Sequence, residues 1–363
     1  MDSTFNPSIE QLMLGNFVKY NTLSDLINRT MRKSNANTLN LFIDLYSLFK
    51  PLYSVDNLKY SNKSYLDITA FVLNMVCHYR YFFKYIGVRT RIFIIFGLNT
   101  PSTNQNMLPG YNSKFVEDVN IKRDVNNLIS KNTEMLDLLC KYIPDVYFFN
   151  IGRSEVSSMV YNVMNKFRYH NLKSDESMII TKDILPLQLV PLFNMRILRP
   201  SKKNNMDESF IVDNETLMGK FFSFYRKSSN DCVISPNFIS NFLALTRIPE
   251  RSIRSMVDIR KAEKMISSCT SMGMIRNDKI YTQSVLNTAL EAILPDYNTN
   301  LNLSAIDIRW KCINPEFQAN YVLPIESPSS VDPILHNLED NMSLRNIINR
   351  YFANNCIDLN RLV

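Results

Sequence analysis

Four short runs of apolar residues, separated by stretches with helical spacing, constrain the fold of this chain most strongly. They read NLFIDLYSLF (40–49), RTRIFIIFG (89–97), VYFFNI (146–151) and MIITK (178–182). Apolar runs of this kind are typical of strands that are buried on both faces. A strand, a crossover helix and a second strand imply a parallel sheet. We therefore predict an α/β domain with a parallel central sheet and helices on both faces.

The remaining elements are predicted from helical periodicity and proline positions. Helices are predicted between the strands, over 67–84, 116–142 and 154–168. Further along the chain we predict short strands near 195–198 and 209–212, a helical region over 235–294, an extended proline-containing stretch over 298–333 and a last helix over 338–352. The chain is accordingly divided into an N-terminal helical extension (1–38), the α/β domain (39–234), a helical region (235–297) and a C-terminal extension (298–363).

Several classes of site are excluded by composition. The chain has seven glycines in 363 residues, and no two are close enough to form a phosphate-binding loop, so no nucleotide cofactor is expected. Six cysteines form no CxxC pair and three histidines are scattered, which argues against both a disulfide framework and a zinc site. A formal net charge of +7 permits a nucleic-acid partner without establishing one.

The amino-acid usage also bears on the origin and the cellular location of the protein. Abundant Asn, Ile, Lys, Ser and Tyr resemble the products of AT-rich genomes, including many viral ones. There is no signal-like leader and no apolar run of about 18 residues, so we expect no membrane partner. The prediction is an intracellular protein of the host cytoplasm, or one associated with a virion.

Three acidic residues lie in or shortly after predicted strands. Asp44 lies in LFIDLYSLF, Glu155 in RSEVSSMVYNVM and Asp183 in IITKDILPLQL. Together with FIIFG, LPGYNSKF and a helical segment over 236–266, these segments occur in the order found in flap endonucleases and 5′-3′ exonucleases, whose core is related to PIN-like nuclease domains. The chain resembles that family over roughly residues 38–270.

The resemblance implies a metal-dependent nuclease site that has lost most of its ligands. Asp44, Glu155 and Asp183 match acidic positions of the family. Other acidic positions are matched by residues without a carboxylate, namely Gly97, Ser157, Ser158, Leu185, Ile248 and Arg251. Because two divalent cations need several converging carboxylates, we expect a degenerate active site with no required cofactor, which holds at most one Mg²⁺ or Mn²⁺. In the alternative interpretation, the three surviving acids only cap loops and helices.

The family also implies where a nucleic acid would bind. Its helix-turn-helix region contacts DNA phosphates, and the matching segment here is basic. Candidate phosphate-binding residues are Lys114, near Tyr111 of LPGYNSKF, and the cluster Arg247, Arg251, Arg254, Arg260, Lys261 and Lys264. The first three arginines of the cluster have i, i+4 and i+7 spacing, which places them on one helical face if the helix is continuous. The alternative is an ordinary solvated basic face.

Three functions follow from these observations. The favoured one is a catalytically impaired relative of 5′-nucleases that binds nucleic acid, DNA rather than RNA, or other viral proteins as a scaffold subunit of a viral or bacteriophage assembly. The second is an active Mg²⁺-dependent 5′-3′ exonuclease or flap endonuclease with a reduced metal site, completed by acids such as Asp118, Asp124 or Asp258. The third is a purely structural subunit of a virion or polymerase complex.

Overall fold

The structure is a computed structural model of the full chain. It describes residues 38–49, 65–85, 87–111, 119–169, 176–200, 209–213, 238–246, 255–258 and 301–327, with a few single residues between 261 and 291. The predicted N-terminal extension and the predicted last helix over 338–352 lie outside the described residues.

A six-stranded sheet forms the centre of the α/β domain. Its strands are β1 (Thr38–Asp44), β2 (Arg89–Phe96), β3 (Val146–Asn150), β4 (Glu176–Ile180), β5 (Arg196–Pro200) and β6 (Ser209–Val212). The strand order is β3-β2-β1-β4-β5-β6, with parallel pairing from β3 to β5 and an antiparallel β6 at the edge. The predicted parallel sheet is confirmed.

Helices cover both faces of this sheet. The helices α1 to α7 are Leu45–Phe49, Tyr65–Tyr85, Ser102–Met107, Val119–Cys140, Val156–Tyr169, Leu189–Phe193 and Phe238–Leu245. Strand β1 shows why both faces are covered, since Leu39, Leu41 and Ile43 belong to one buried cluster and Phe42 to another. Side chains of a strand alternate between the faces, so a strand with apolar side chains on both faces needs a helical layer on each side.

The prediction that the whole of the first apolar run, 40–49, is a strand is wrong for its second half. Strand β1 stops at Asp44, and Leu45–Phe49 form the short helix α1. The Asp44 carboxylate accepts a hydrogen bond from the Ser47 backbone N–H at 3.1 Å. An aspartate in this position is a typical helix N-cap, and it turns the chain out of the sheet.

The prediction of an extended stretch over 298–333 is wrong for the part that the structure describes. The helices α8 (Leu303–Ile313), α9 (Pro315–Phe317) and α10 (Leu323–Glu326) follow one another, with a π-helical turn at Gln318–Val322. Pro315 and Pro324 lie in the first two positions of their helices. Proline is tolerated there because no intrahelical bond to its nitrogen is needed. Among the described residues, no helix combines the length and the apolar character needed to cross a bilayer.

Candidate active site

The predicted acidic residues lie at the carboxyl edge of the sheet. Asp44 is the last residue of β1, and Asp183 follows the end of the neighbouring strand β4. Strand β1 lies between β2 on one side and β4 on the other, so the strand order reverses here. In parallel α/β sheets, the crevice at such a reversal of strand order is the usual location of a ligand site.

Asp44 is held by two short polar residues, both of which sequence analysis missed. Its Oδ2 accepts a hydrogen bond from the Thr181 hydroxyl at 2.6 Å, and its Oδ1 accepts one from the Ser47 N–H. The Ser47 hydroxyl also contacts Thr181 at 3.2 Å and accepts from the Lys182 N–H at 3.1 Å. Ser47 and Thr181 therefore join the ends of β1 and β4 around one fully buried carboxyl group.

Burial and a neighbouring acid destabilise the ionised form of Asp44. Desolvation first, and the negative charge of Asp183 second, raise the pKa of Asp44 to about 6 despite the opposing hydrogen bonds from Thr181 and Ser47. Two carboxyl groups that share a low-dielectric site cannot both ionise easily. Asp44 and Asp183 are thus electrostatically coupled.

Asp183 serves as a cap in this structure. Its Oδ1 accepts hydrogen bonds from the Ile184 N–H at 2.7 Å and the Leu185 N–H at 3.4 Å. These contacts begin the 3₁₀ turn Leu185–Gln188. The capping interpretation therefore agrees with the contacts of Asp44 and Asp183, each of which satisfies backbone donors at the start of a helical turn.

Glu155 makes a different contact, deep in the protein. The Tyr111 hydroxyl donates to its Oε1 at 2.6 Å and also lies 3.3 Å from the Cys312 carbonyl oxygen in α8. Tyr111 and Glu155 are each 1% exposed. An oxygen–oxygen distance of about 2.6 Å is typical of hydroxyl donation to a charged carboxylate. The carboxylate of Glu155 therefore has an internal partner, and the cap of helix α5 is Asn99, whose Oδ1 accepts from the Val156 N–H at 3.1 Å.

At the positions where the family has further acidic residues, the space is occupied by backbone or by packed side chains of this chain. A Cβ atom added at Gly97 would lie 2.6 Å from the Ser154 carbonyl oxygen and 2.7 Å from Ile151 side-chain carbons, so no larger residue fits. Leu185 is fully buried and belongs to the hydrophobic core. Ser157 and Ser158 are buried, and the Ser158 hydroxyl donates to the Glu155 backbone carbonyl at 2.6 Å.

These residues do not fit the metal pair that the family resemblance implies. Among the described residues, no group of three His, Cys, Asp or Glu side chains is placed to hold a metal ion. Hard divalent cations need several oxygen ligands, and the Gly97 and Leu185 positions supply no side-chain oxygen. In the part of the chain that the structure describes, the side-chain oxygens near Asp44 that could ligate a cation are those of Asp183 and of the Thr181 and Ser47 hydroxyl groups.

Of the additional acids proposed for an active enzyme, only Asp258 has a side chain that the structure describes. Asp258 is exposed, and its Oδ1 accepts from the Lys261 N–H at 2.9 Å as the cap of a following helical turn. Asp118 lies outside the described residues, and only the backbone of Asp124 is described, in α4.

Most of the predicted phosphate-binding residues are outside the described part of the chain. This applies to Lys114, Arg247, Arg251, Arg254 and Arg260, and also to Ile248 among the positions without a carboxylate. Helix α7 ends at Leu245, and the Met256 and Val257 N–H groups donate to the Leu245 carbonyl oxygen at 3.0 and 3.3 Å.

Met256 and Val257 therefore lie against the end of α7. Of the basic residues, Lys264 is exposed and Lys261 is half-buried.

A buried polar network, which sequence analysis missed, joins this site to the C-terminal helices. The Asn104 and Gln318 side-chain amides exchange hydrogen bonds at 3.2 and 2.9 Å, and Asn104 also donates to the Cys312 carbonyl oxygen at 3.0 Å. Gln188 donates to the Ile313 carbonyl oxygen at 2.9 Å. Only Gln188 lay in a segment singled out from the sequence, since amide pairs more than 200 residues apart leave no local signal.

Comparison with known proteins supplies similarity in fold only. No protein-family profile and no curated protein sequence matches the chain. The catalytic core of Rad2 in complex with DNA substrate is 11% identical with a TM-score of 0.47, over 95% of this chain and 94% of that one. A T5 5′-exonuclease with bound zinc is 13% identical with a TM-score of 0.46, over 79% of this chain and 96% of that one.

A third solved structure is the flap endonuclease of bacteriophage T5 in a pseudo-enzyme-product complex with DNA and metal ions. It is 13% identical with a TM-score of 0.44, over 79% of this chain and 95% of that one. Two of these three solved structures are a flap endonuclease and a 5′-exonuclease, the kinds of protein that the sequence motifs resemble.

Proposed function

We propose that this protein is a catalytically impaired relative of 5′-nucleases that binds nucleic acid, DNA rather than RNA, as a scaffold subunit of a viral assembly. The first part of this proposal, impaired catalysis, rests on the burial of the acidic site. Asp44, Glu155 and Asp183 are between 0% and 6% exposed, and each is engaged by the protein's own donors. A carboxylate must be reachable by metal and substrate to take part in phosphodiester hydrolysis.

The missing ligands affect packing as well as chemistry. A Cβ atom at Gly97 would lie 2.6 Å from the Ser154 carbonyl oxygen, and Leu185 packs in the core. Restoring an acid at either position would require the surrounding chain to move. The site therefore differs from an active one by its packing, which a single substitution does not reverse.

Nucleic-acid binding is supported by charge. The chain carries a net charge of +7, and its basic cluster over 247–264 follows helix α7. Phosphate contacts by Lys and Arg need no catalytic metal and read no sequence. A protein with this arrangement can therefore keep substrate affinity without cleaving the substrate.

One observation favours a second candidate, an enzyme with a single metal ion. The coupled acids Asp44 and Asp183 would each be stabilised by a cation, because a positive charge would offset the repulsion that raises the pKa of Asp44. Titration with Mn²⁺ followed by electron paramagnetic resonance separates the two candidates. The impaired-enzyme proposal predicts no binding below millimolar Mn²⁺. Micromolar binding that disappears in Asp183→Asn would support the single-metal enzyme instead.

Binding to DNA is tested by fluorescence anisotropy with a labelled duplex at several salt concentrations. The proposal predicts an affinity that falls as salt rises. It also predicts that Lys261→Glu with Lys264→Glu flattens the dependence of log Kd on log salt by about 0.9 for each phosphate that is no longer neutralised. Lys84→Glu with Lys141→Glu removes two exposed cations elsewhere and is the matched control. Absence of any salt-dependent binding by the unmodified protein would favour the purely structural subunit.

A further inference from the structure

Helix α8 brings a buried arginine to the end of helix α7. Arg309 lies in the middle of α8 and is 5% exposed. Its Nη2 donates a hydrogen bond to the backbone carbonyl oxygen of Thr246 at 2.6 Å, and Thr246 directly follows α7. The last carbonyl groups of a helix have no partner within it and carry a partial negative charge. Arg309 therefore caps the carboxyl end of α7 with a full positive charge.

The same end of α7 also binds the segment that leads to the described lysines of the basic cluster. The Leu245 carbonyl oxygen accepts hydrogen bonds from the Met256 and Val257 N–H groups at 3.0 and 3.3 Å. Arg309 and Met256 thus contact the carbonyl groups of two consecutive residues, Thr246 and Leu245. Because peptide groups are planar and rigid, a contact that fixes one of these carbonyl groups also constrains the other.

The two lysines follow Met256 and Val257 in a compact helical turn. The Asp258 carboxylate accepts from the Lys261 N–H at 2.9 Å as an N-cap, and the Asp258 carbonyl oxygen accepts from the Ala262 N–H at 2.9 Å. Ala262 and Met265 are buried in the same cluster as residues of α7 and α8. Lys261 is half-buried and Lys264 is exposed. One side of the turn therefore packs on the core, while the other side presents the lysines to solvent.

Burying an arginine between α7 and α8 lowers stability relative to burying an apolar residue. Desolvation lowers the pKa of Arg309 to about 10, so the guanidinium group stays charged at neutral pH. An apolar side chain of similar size would pack between the helices without this desolvation penalty. A hydrogen bond to one carbonyl group has a defined direction, which apolar packing lacks. The arginine is therefore suited to fix the orientation of the end of α7.

We infer that Arg309 is a positioning residue of the nucleic-acid surface, which fixes the end of α7 and thereby places Lys261 and Lys264 for contact with a DNA backbone. Arg309 itself is too buried to touch DNA, so it acts through the two lysines. This role rests on the proposed nucleic-acid binding. It extends the binding surface to α8, which the sequence assigned to a separate C-terminal extension (298–363).

A double-mutant cycle tests whether Arg309 acts through the lysines. Arg309→Met keeps an unbranched side chain in place and removes its charge and hydrogen bond. Lys261→Gln with Lys264→Gln removes the two cations. Fluorescence anisotropy with a labelled DNA duplex is measured at 0.1 M salt for the unmodified protein, for both variants and for their combination. We expect Arg309→Met alone to weaken binding about fivefold, and to weaken it less than about twofold once both lysines are absent.

Val76→Ala is the control for a loss of stability alone. Val76 lies in α2 and is fully buried in the other cluster, which includes no described residue of α7 or α8. Thermal melts establish that each variant is folded at the assay temperature. Val76→Ala should leave the DNA affinity within about twofold of that of the unmodified protein. Equal losses from Arg309→Met with and without the lysines, or no loss in a protein that binds DNA, would overturn the positioning role and leave DNA binding intact.

Hydrogen–deuterium exchange keeps the role testable without DNA. In Arg309→Met, the amides of Met256, Val257 and Ala262 should exchange about tenfold faster, whereas Val76→Ala should not single them out from the rest of the core. Arg309→Lys retains the charge without the planar fork of donors, so it should give a smaller increase, and it replaces Arg309→Met if that variant does not fold.

The exchange measurement also separates the two ways of failing. Local exchange of this kind in a protein that binds no DNA would refute the proposed function and retain Arg309 as the residue that places this segment. Unchanged local exchange in the Arg309 variants would overturn the positioning role, whether or not the protein binds DNA.

Discussion

The hydrogen bond between Tyr111 and Glu155 is the interaction whose removal has the most predictable effect. Replacing Tyr111 by Phe keeps the ring in the core and deletes only the hydroxyl group that lies 2.6 Å from Oε1 of Glu155. A hydrogen bond to a charged group contributes about 1.5–3 kcal/mol, and a buried carboxylate left without its donor adds a desolvation penalty. The same hydroxyl contacts the Cys312 carbonyl oxygen at 3.3 Å. We therefore expect Tyr111→Phe to lower the free energy of unfolding by about 3 kcal/mol.

Urea unfolding followed by tryptophan fluorescence is a suitable assay. The chain has one tryptophan, Trp310, which lies in helix α8 two residues before Cys312. Tyr169→Phe is the matched control because Tyr169 is 84% exposed, and it should change stability by less than about 0.5 kcal/mol. Combining Tyr111→Phe with Glu155→Gln in a double-mutant cycle should give a coupling energy of at least about 1 kcal/mol. A Tyr111→Phe protein as stable as Tyr169→Phe would refute the assignment of this hydrogen bond.

Three further predictions concern the acidic site. Burial raises the pKa of Asp44 to about 6 from an ordinary 3.8, so the protein loses about 3 kcal/mol of stability as pH rises from 3.8 to 6 and this carboxyl group ionises. The stability gained by Asp44→Asn should therefore grow over that window and stay constant above it, which urea unfolding at pH 4 and pH 7.5 would measure. An equal effect at both pH values would contradict the burial argument. Gly97→Ala should destabilise by about 1–3 kcal/mol because its Cβ meets Ser154 and Ile151, and thermal melts showing no change would exclude this close approach. Leu185→Asp should cost at least about 3 kcal/mol by placing a charge at a fully buried position, and it should not create cleavage of flap DNA; a stable, cleaving variant would show that only one ligand was missing.

Much of the sheet could be predicted because its signal is local. Strands β2, β3 and β4 each contain an apolar run that a parallel sheet buries on both faces. The second half of the run over 40–49 was wrongly predicted as strand, since Leu45, Tyr46 and Leu48 are as apolar as the strand residues before them. The overlooked cue was the spacing of Asp44 and Ser47, which is that of an N-cap and the third helical residue.

The C-terminal segment was mispredicted for a related reason. Pro315 and Pro324 suggest an extended chain when only their spacing is considered, although both begin helical turns. Proline ends a helix that precedes it and is compatible with one that follows it. The sequence alone did not distinguish these cases.

The acidic site divides into parts that a sequence can and cannot reveal. Asp44 and Asp183 lie at the carboxyl ends of adjacent strands, and the motif resemblance grouped them, although no strand order was predicted from the sequence. The partner of Glu155 is separated from it by 44 residues, and the Cys312 carbonyl oxygen that lies beside the same hydroxyl belongs to a helix near the end of the chain. Interactions of this kind depend on tertiary packing, which leaves no periodic pattern in the sequence.

The central claim is that the acidic site no longer supports hydrolysis, and a single-turnover cleavage assay tests it most directly. A labelled 5′-flap DNA is incubated with excess protein in Mg²⁺ or Mn²⁺, beside the Asp183→Ala variant. An active flap endonuclease on the same DNA verifies the substrate. The account predicts no cleavage above the protein-free reaction for either protein. Metal-dependent cleavage by the unmodified protein that disappears in Asp183→Ala would contradict it.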